Sequence, residues 1–209
     1  MPQKNFANNI LELVFAMETL YFYFPLGWEH ILSRDALDHQ AFLAAMGASF
    51  FLSDWKRLLI VITAFTVGHS LTLALSVLNV FSMNSNLVEL LIPVTIALTA
   101  VQQWWGRFPD RSKTLLLYGS ALFFGFIHGM GFANNIRFML SQDQSMGWGL
   151  LGFNLGLEAG QLIFMALFLM VAQGTVRFLG LDKRKWTESV ALITFGLSVF
   201  MVVQRIAIP

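Results

Sequence analysis

Long apolar stretches, separated by short polar segments, dominate this 209-residue chain. Five of them, at residues 58–80, 87–105, 115–136, 148–171 and 190–203, lie at or near the length of a membrane-spanning helix, which needs about 20 predominantly apolar residues. Charged residues make up only 12% of the chain, whereas a soluble domain carries about 25%. The sequence therefore predicts an all-α, polytopic transmembrane helical bundle.

Two further segments are less regular. Residues 37–52 form a shorter apolar stretch, and residues 9–32 are apolar but contain Glu12, Glu18, Glu29 and Pro25. We expect residues 37–205 to form a six-span bundle. Residues 1–33 are expected to form an amphipathic helix at the membrane interface or against the bundle, with a seventh span as the alternative. No linker or repeat interrupts the sequence, so residues 1–209 are predicted to be a single domain.

The positively charged residues are distributed unevenly over the connecting segments. Nine of the 13 Lys and Arg residues lie in residues 53–57, 106–113 and 174–187. Because cytoplasmic loops are enriched in Lys and Arg, these three loops are expected to be cytoplasmic and the C-terminus extracytoplasmic.

Composition also excludes several classes of function. The chain has no Cys, which rules out thiolate metal ligands, disulfides and a Cys nucleophile. Its net charge of only +1 argues against a nucleic-acid partner. No phosphate-binding glycine loop is present, so any transport would be driven by a gradient or a downstream sink.

Ionisable side chains nevertheless occur inside the predicted spans. His69 lies 12 positions after Arg57, His128 lies 13 positions after the start of its span, and Glu158 lies 10 positions after the start of its span. At about 1.5 Å per residue, these side chains reach depths of roughly 18, 20 and 15 Å in a hydrocarbon core about 30 Å thick. Such groups are costly in lipid and usually mark a functional site facing the bundle interior, so we expect the three to share one layer.

Polar residues accompany these groups on the same helix faces. Ser70 follows His69, and Asn154, Glu158 and Gln161 have the i, i+4, i+7 spacing that places side chains on one stripe of a helix. We expect His69, His128 and Glu158 to form a relay near the midplane, with the other polar residues in support.

A second group lies nearer the N-terminus. His30, Asp38 and His39 flank the start of the 37–52 stretch, and Glu89 belongs to a predominantly acidic outer rim that would attract cations. Imidazole and carboxylate groups suit first-row divalent metals, so we expect an outer capture site here. Structural roles compete with this interpretation, since an intramembrane His can hydrogen-bond between helices and Asp38 can cap a helix N-terminus.

Several motifs resemble those of the HupE/UreJ family of hydrogenase and urease accessory membrane proteins. They are G-W-E-H-I-L at 27–32 with A-L-D-H-Q-A-F at 36–42, T-A-F-T-V-G-H-S-L-T-L-A-L at 63–75, V-E-L-L-I-P-V-T-I at 88–96, F-G-F-I-H-G-M-G-F-A at 124–133 and F-N-L-G-L-E-A-G-Q at 153–161. The resemblance spans about residues 17–172, in the family's order. It implies a six-span bundle in the bacterial cytoplasmic membrane and, for the better-known branch, nickel permeation.

The sequence departs from that nickel-permease branch in one motif. The branch has H-P-x-x-G-x-D-H near its first span, whereas here His30 precedes Asp38 by eight residues and no Pro follows it. The chain therefore resembles the second, less characterised branch, and the ion stays open, with nickel and zinc as the candidates. The segment before Met17 has no counterpart in the family pattern.

These observations favour a transporter or facilitator of a first-row divalent metal cation, whose partners are the metal ion and the lipid bilayer. No catalytic residue is assigned. One alternative is an intramembrane zinc-dependent hydrolase that uses the same His and carboxylate groups. Another is a structural or metal-chaperoning membrane subunit.

Overall fold

A computed structural model describes residues 2–105, 110–142 and 145–207, which fold into seven α-helices. These are α1 (Pro2–Leu32), α2 (Leu37–Gly47), α3 (Trp55–Val77), α4 (Ser85–Trp105), α5 (Asp110–Gln142), α6 (Met146–Phe178) and α7 (Lys183–Ala207). Short 3₁₀ turns precede α2 and α3, and no strand occurs within the described ranges. The all-α prediction is confirmed. Residues 106–109 of the predicted loop 106–113 lie outside the described residues, as do the side chains of residues 2–8, 110–114, 134–135, 137–138 and 141–142.

Six helical segments of the described chain are long and apolar enough to cross a membrane, which agrees with the predicted number of spans. The first of them is the N-terminal segment Asn9–Leu32, and residues 37–52 are not among them. Helix α2 has only 11 residues, or about 16 Å at the helical rise, roughly half the thickness of a hydrocarbon core. Residues 37–52 are thus too short in helix to cross a membrane as expected, and Asn9–Leu32 takes their place among the six candidate spans of the described chain.

Burial explains why the α2 sequence resembles a span. Seven of its 11 residues are buried, so the helix is surrounded by protein and needs apolar residues on nearly every side. Helix α1, by contrast, exposes apolar side chains such as Leu13, Met17 and Phe22. In a membrane protein these side chains contact lipid.

Helices α1 and α6 run parallel in close contact. Three glycines spaced four residues apart on α6 meet the backbone of α1, with Gly152 facing Leu20, Gly156 facing Phe24 and Gly160 facing Trp28. A Cβ atom added to Gly156 would overlap the carbonyl oxygen of Phe24. This small-xxx-small spacing is typical of tightly packed membrane helices.

Helices α3 and α5 form a second parallel pair on the same principle. Gly125 and Gly129 of α5 lie against the backbone of Phe65 and His69, and Gly68 of α3 lies against Leu122. A side chain at any of the three would force the helices apart. The glycines therefore fix how closely the backbone at His69 approaches α5.

Helix α2 descends to one end of the bundle. There, Gln103 near the end of α4 and Thr187 near the start of α7 donate hydrogen bonds to the carbonyl oxygens of Met46 (3.2 Å) and Ala48 (3.0 Å). The segment 53–57 and the connection from α6 to α7 lie at this same end, because α3 and α7 both begin there.

Candidate metal centre

The break between α1 and α2 brings two histidines together. The backbone N–H of Ser33 donates to the carbonyl oxygen of Glu29 (2.9 Å), after which the chain turns into α2. The Gln40 side-chain amide donates to the carbonyl oxygens of both Ile31 and Ser33, each at 3.0 Å. As a result the ring centroids of His30 and His39 lie 4.5 Å apart, although the residues belong to different helices.

Helix α3 adds the third histidine. The ring of His69 lies 5.8 Å from that of His30 and 6.2 Å from that of His39, centroid to centroid. One potential ligand atom from each of the three residues lies within 4.8 Å of the others. We refer to His30, His39 and His69 as the histidine cluster. It unites residues that the sequence assigned to an outer capture site and to a deeper relay.

His128 of α5 lies next to this cluster. Its ring centroid is 4.8 Å from that of His39, with the two planes nearly perpendicular, and its Nε2 atom lies 3.2 Å from the hydroxyl oxygen of Thr95 on α4. All four histidines of the chain are therefore gathered in one region. The structure places His128 beside the three residues whose ligand atoms approach one another, and not among them.

Several imidazole nitrogens in this region have no hydrogen-bond partner within the described chain. They are Nε2 of His30, Nε2 of His39, both ring nitrogens of His69 and Nδ1 of His128, all buried. Buried polar atoms are nearly always paired, and unpaired ones commonly mark an ion-binding site or another functional role. Neutral imidazole nitrogens are common metal ligands, so these residues fit a bound divalent cation.

Asp38 orients His39 from the first turn of α2. One carboxylate oxygen, Oδ1, accepts hydrogen bonds from the backbone N–H of His39 (2.7 Å) and from its ring Nδ1 (2.9 Å). Burial by itself would raise the pKa of the Asp38 carboxyl, but the charge interaction and hydrogen bonds with His39 lower that pKa below its usual range. An ionised carboxylate behind a metal-ligating histidine is the usual second-layer partner of such a site.

Phenylalanine rings surround the histidines. The Phe132 ring lies 3.8 Å from that of His30, centroid to centroid, with the planes tilted, and the Phe153 ring stacks on that of His69 at 6.2 Å. Phe65 lies 5.3 Å from His128. This apolar wall limits water around the nitrogens and strengthens their electrostatic interactions with any cation.

A cavity of about 860 Å³ leads to the cluster, and its walls include His30, His39 and His128. Glu29, Asp35, Asp38 and Glu89 also line it, together with Arg205. Arg205 of α7 forms an ion pair with Glu89 of α4. The cavity wall is therefore mainly acidic, as predicted for an entrance that attracts cations.

The polar residues predicted on α6 lie elsewhere. Glu158 accepts a hydrogen bond from the hydroxyl of Thr63 (2.8 Å), and Gln161 accepts one from Thr66 (2.9 Å). The side-chain amide of Asn154 donates to the carbonyl oxygen of Leu150, one turn earlier on its own helix (2.8 Å).

Ser70 likewise bonds within its own helix, donating to the carbonyl oxygen of Thr66 (2.6 Å). None of these four predicted residues lines the cavity or joins the histidine cluster. Glu158 and Gln161, with Thr63 and Thr66, form a polar seam between α3 and α6.

Sequence reasoning did not single out Gln40, Thr95 or Arg205. One signal for Thr95 was available, because Thr95 and Thr99 are in helical register with the buried Val88 and Ile92 of α4. A hydroxyl on a buried helix face needs a partner, but the sequence does not say which residue supplies it. Gln40 and Arg205 carry no comparable signal, since both are polar residues near helix ends.

Comparison with known protein families identifies the family of this chain. A family model described as HupE / UreJ protein matches residues 7–206, nearly the whole chain. The match includes residues 7–16, so the expectation that the segment before Met17 has no family counterpart is wrong. No curated protein and no solved structure gives a significant match.

Proposed function

The chain belongs to the HupE/UreJ family, and from this membership and the histidine cluster we propose that it moves a first-row divalent metal cation across the membrane. The cation is the cargo. It enters through the acidic cavity and binds the nitrogens of His30, His39 and His69.

One observation carries this proposal. Three imidazoles from three different helices each offer a ligand atom within 4.8 Å of the other two. The cluster lies beside a cavity of about 860 Å³. A structural role for the histidines would pair their nitrogens with protein groups, whereas five of these atoms, counting His128, are buried without a protein partner in the described chain.

The ligand set narrows the choice of cation. Imidazole nitrogens suit nickel, zinc, cobalt and iron, and a site without thiolate disfavours softer ions. Among the described residues, Asp38 is the one carboxylate with a hydrogen bond to an imidazole ring of the cluster, and its bonded oxygen faces His39 Nδ1. We propose nickel or zinc as the cargo, nickel being the ion that family resemblance suggests.

Metal binding to the purified protein tests the proposal. Co²⁺, which substitutes for zinc and nickel in nitrogen sites and absorbs visible light, is titrated into wild type and His69→Ala. We expect one Co²⁺ per chain in wild type and strong loss of binding in the variant. Ser198→Ala is the matched control, because Ser198 is fully buried but bonds within α7 to Phe195.

Uptake of radioactive nickel or zinc by cells expressing the same variants tests transport itself. Wild-type uptake in both His69→Ala and His39→Ala would exclude the cluster as a transport site. Absence of any metal binding in wild type would instead favour the structural or chaperoning role.

A membrane zinc hydrolase is the second candidate, and the size of the cavity favours it. About 860 Å³ falls within the range of about 300–1,000 Å³ typical of small-molecule pockets, and three histidines with an open position suit catalytic zinc. Zinc that survives purification and washing with chelator would support the hydrolase. A weakly held, exchanging ion would support transport.

We also propose the orientation, with α2's C-terminal end cytoplasmic and the cavity extracytoplasmic in the bacterial inner membrane. The positively charged segments near 53–57 and 174–187 support this orientation.

Because the chain has no Cys, single-cysteine variants give an unambiguous test of the orientation. A membrane-impermeant thiol reagent applied to intact spheroplasts should label exposed Ser82→Cys and leave exposed Ser53→Cys unlabelled until the membrane is opened; the reverse pattern would invert the proposed orientation.

A further inference from the structure

Thr95 and His128 form a buried polar contact between α4 and α5. Thr95 is 2% exposed and His128 is fully buried. The Thr95 hydroxyl oxygen lies 2.6 Å from the carbonyl oxygen of Ile92 on its own helix and 3.2 Å from Nε2 of His128.

Counting protons determines the direction of both bonds. A hydroxyl has a single hydrogen to donate, and the carbonyl of Ile92 can only accept, so that hydrogen points to Ile92. The Thr95 oxygen must then accept from His128, and Nε2 must carry the proton. Because a neutral imidazole has one N–H, the Nδ1 atom of His128 keeps an unshared electron pair.

That Nδ1 atom is available to a ligand. It is buried without a hydrogen-bond partner within the described chain, and the residue lines the cavity with its ring 4.8 Å from that of His39. In the neighbouring His39, the Asp38 carboxylate holds the ring proton on Nδ1. The Nε2 atom of His39 then has no hydrogen-bond partner within the described chain. Two neighbouring helices thus hold two histidines in opposite tautomers.

We propose that Thr95 is a positioning residue that holds His128 as the Nε2–H tautomer, so that Nδ1 of His128 is an additional nitrogen ligand for the cation at the histidine cluster. The inference rests on the proposed function only for the identity of the ligand. The tautomer is a property of the metal-free protein.

The metal-free protein therefore gives the first test. Histidine labelled with ¹⁵N distinguishes the two tautomers by NMR in detergent, and His128→Gln identifies the His128 signals. We expect the Nε2–H form in wild type and in Thr95→Ser, and a mixture of forms in Thr95→Val. Thr99→Val is the matched control, because Thr99 is a buried threonine one turn away that donates to the carbonyl of Thr95.

Three results would overturn the positioning role. An Nδ1–H form of His128 in wild type does so without any variant. So does an unchanged spectrum of His128 in Thr95→Val, or a Thr99→Val spectrum that changes as much as that of Thr95→Val.

Co²⁺ titration gives the second test. Loss of an outer-layer partner of a histidine ligand typically lowers metal affinity about 10- to 100-fold, so we expect that loss in Thr95→Val and wild-type affinity in Thr95→Ser and Thr99→Val. If Thr95→Val changes the tautomer but keeps wild-type Co²⁺ affinity, His128 is not a ligand and the proposal fails. If wild type binds no Co²⁺, the proposed function fails, while the NMR result still decides the role of Thr95.

Discussion

Asp38 holds His39 through two hydrogen bonds to a single oxygen, one from the backbone N–H and one from the ring Nδ1, at 2.7 and 2.9 Å. Because a carboxylate only accepts hydrogen bonds, Nδ1 carries the ring proton. The Nε2 atom is then the electron-pair donor, and it is buried without a partner in the described chain. Adjacent residues in the sequence thus define which His39 nitrogen has an electron pair to offer a ligand.

Asp38→Ala is expected to weaken Co²⁺ binding about 10- to 100-fold, because His39 loses the partner that fixes its ring and raises its basicity. Titration of the purified protein measures the change. Asp35→Ala serves as the control, since Asp35 lines the same cavity and has no hydrogen bond to a histidine within the described chain. Equal losses in both variants would show that general negative charge, and not orientation of His39, sets the affinity.

Gln40→Met is expected to lower both stability and Co²⁺ affinity. The change removes the Gln40 donor from the carbonyl oxygens of Ile31 and Ser33, and Ser33 keeps only the longer bond from the backbone N–H of Ala36 (3.3 Å). Loss of a donor to the buried Ile31 costs about 1–3 kcal/mol. It also loosens the break between α1 and α2 that brings His30 to His39. Thermal unfolding in detergent and Co²⁺ titration measure the two effects.

Gln103→Met separates these effects. Gln103 also donates to a backbone carbonyl of α2, that of Met46, but at the end of the helix away from the histidines. We expect lower stability with unchanged Co²⁺ affinity. A loss of affinity in this control equal to that in Gln40→Met would mean that the site responds to any loosening of α2.

Gly156→Ala is expected to destabilise the fold. The added methyl group would overlap the carbonyl oxygen of Phe24, and overpacking of this kind typically costs about 1–3 kcal/mol. In α7, Gly196 has no atom within 4 Å of an added Cβ, so Gly196→Ala should be neutral or stabilising by up to about 1 kcal/mol, since Ala favours helix. Melting temperatures compare the two, and equal values would refute the close contact of α1 with α6.

Glu158→Gln is expected to leave Co²⁺ affinity unchanged, because Glu158 is not among the described residues whose ligand atoms approach one another. Glu158 bonds to Thr63, six residues or about 9 Å along α3 from His69, and the glutamine oxygen can still accept that bond. Thr63→Val is the control that removes the hydroxyl and keeps the carboxylate. A loss of Co²⁺ affinity as large as that of His69→Ala would instead make Glu158 a direct ligand, as the sequence suggested.

Arg205→Gln is expected to speed Co²⁺ association at low ionic strength. Among the described residues of the cavity wall, Arg205 is the positively charged side chain beside the acidic ones, and removing it makes the wall more attractive to metal ions. The gain in rate should vanish at high salt. Arg184→Gln is the control, because Arg184 forms a comparable exposed pair with Glu188 near the start of α7. Stopped-flow absorbance measures the rates, and no salt-dependent difference would exclude steering by the cavity wall.

Much of the architecture followed from the sequence. The apolar stretches predicted the number of spans, and the positions of His69 and His128 predicted burial, because a helix of known rise converts residue number into depth. The i, i+4, i+7 spacing placed Asn154, Glu158 and Gln161 on one face of α6. The structure joins two of these, Glu158 and Gln161, to α3.

Residues 37–52 show where sequence reasoning reached its limit. Contact with lipid and burial inside protein both select apolar side chains, so an apolar stretch does not reveal which of the two surrounds it. The 11-residue length of α2 and its neighbours on every side were decided by tertiary packing. In residues 9–32, three glutamates and Pro25 suggested an interfacial helix, although this segment is one of the six able to span the membrane.

The sequence alone determined that this is a helical membrane protein with histidines inside its bundle, because hydropathy and helical rise act locally along the chain. Only the tertiary structure decided that His30, His39 and His69 meet, that Thr95 faces His128 and that Glu158 faces Thr63. Helix periodicity gives the direction of a side chain relative to its own axis. The partner that the side chain meets depends on how each helix is rotated and shifted against its neighbours. That arrangement is determined by contacts between residues distant in the sequence, such as Gly156 with Phe24.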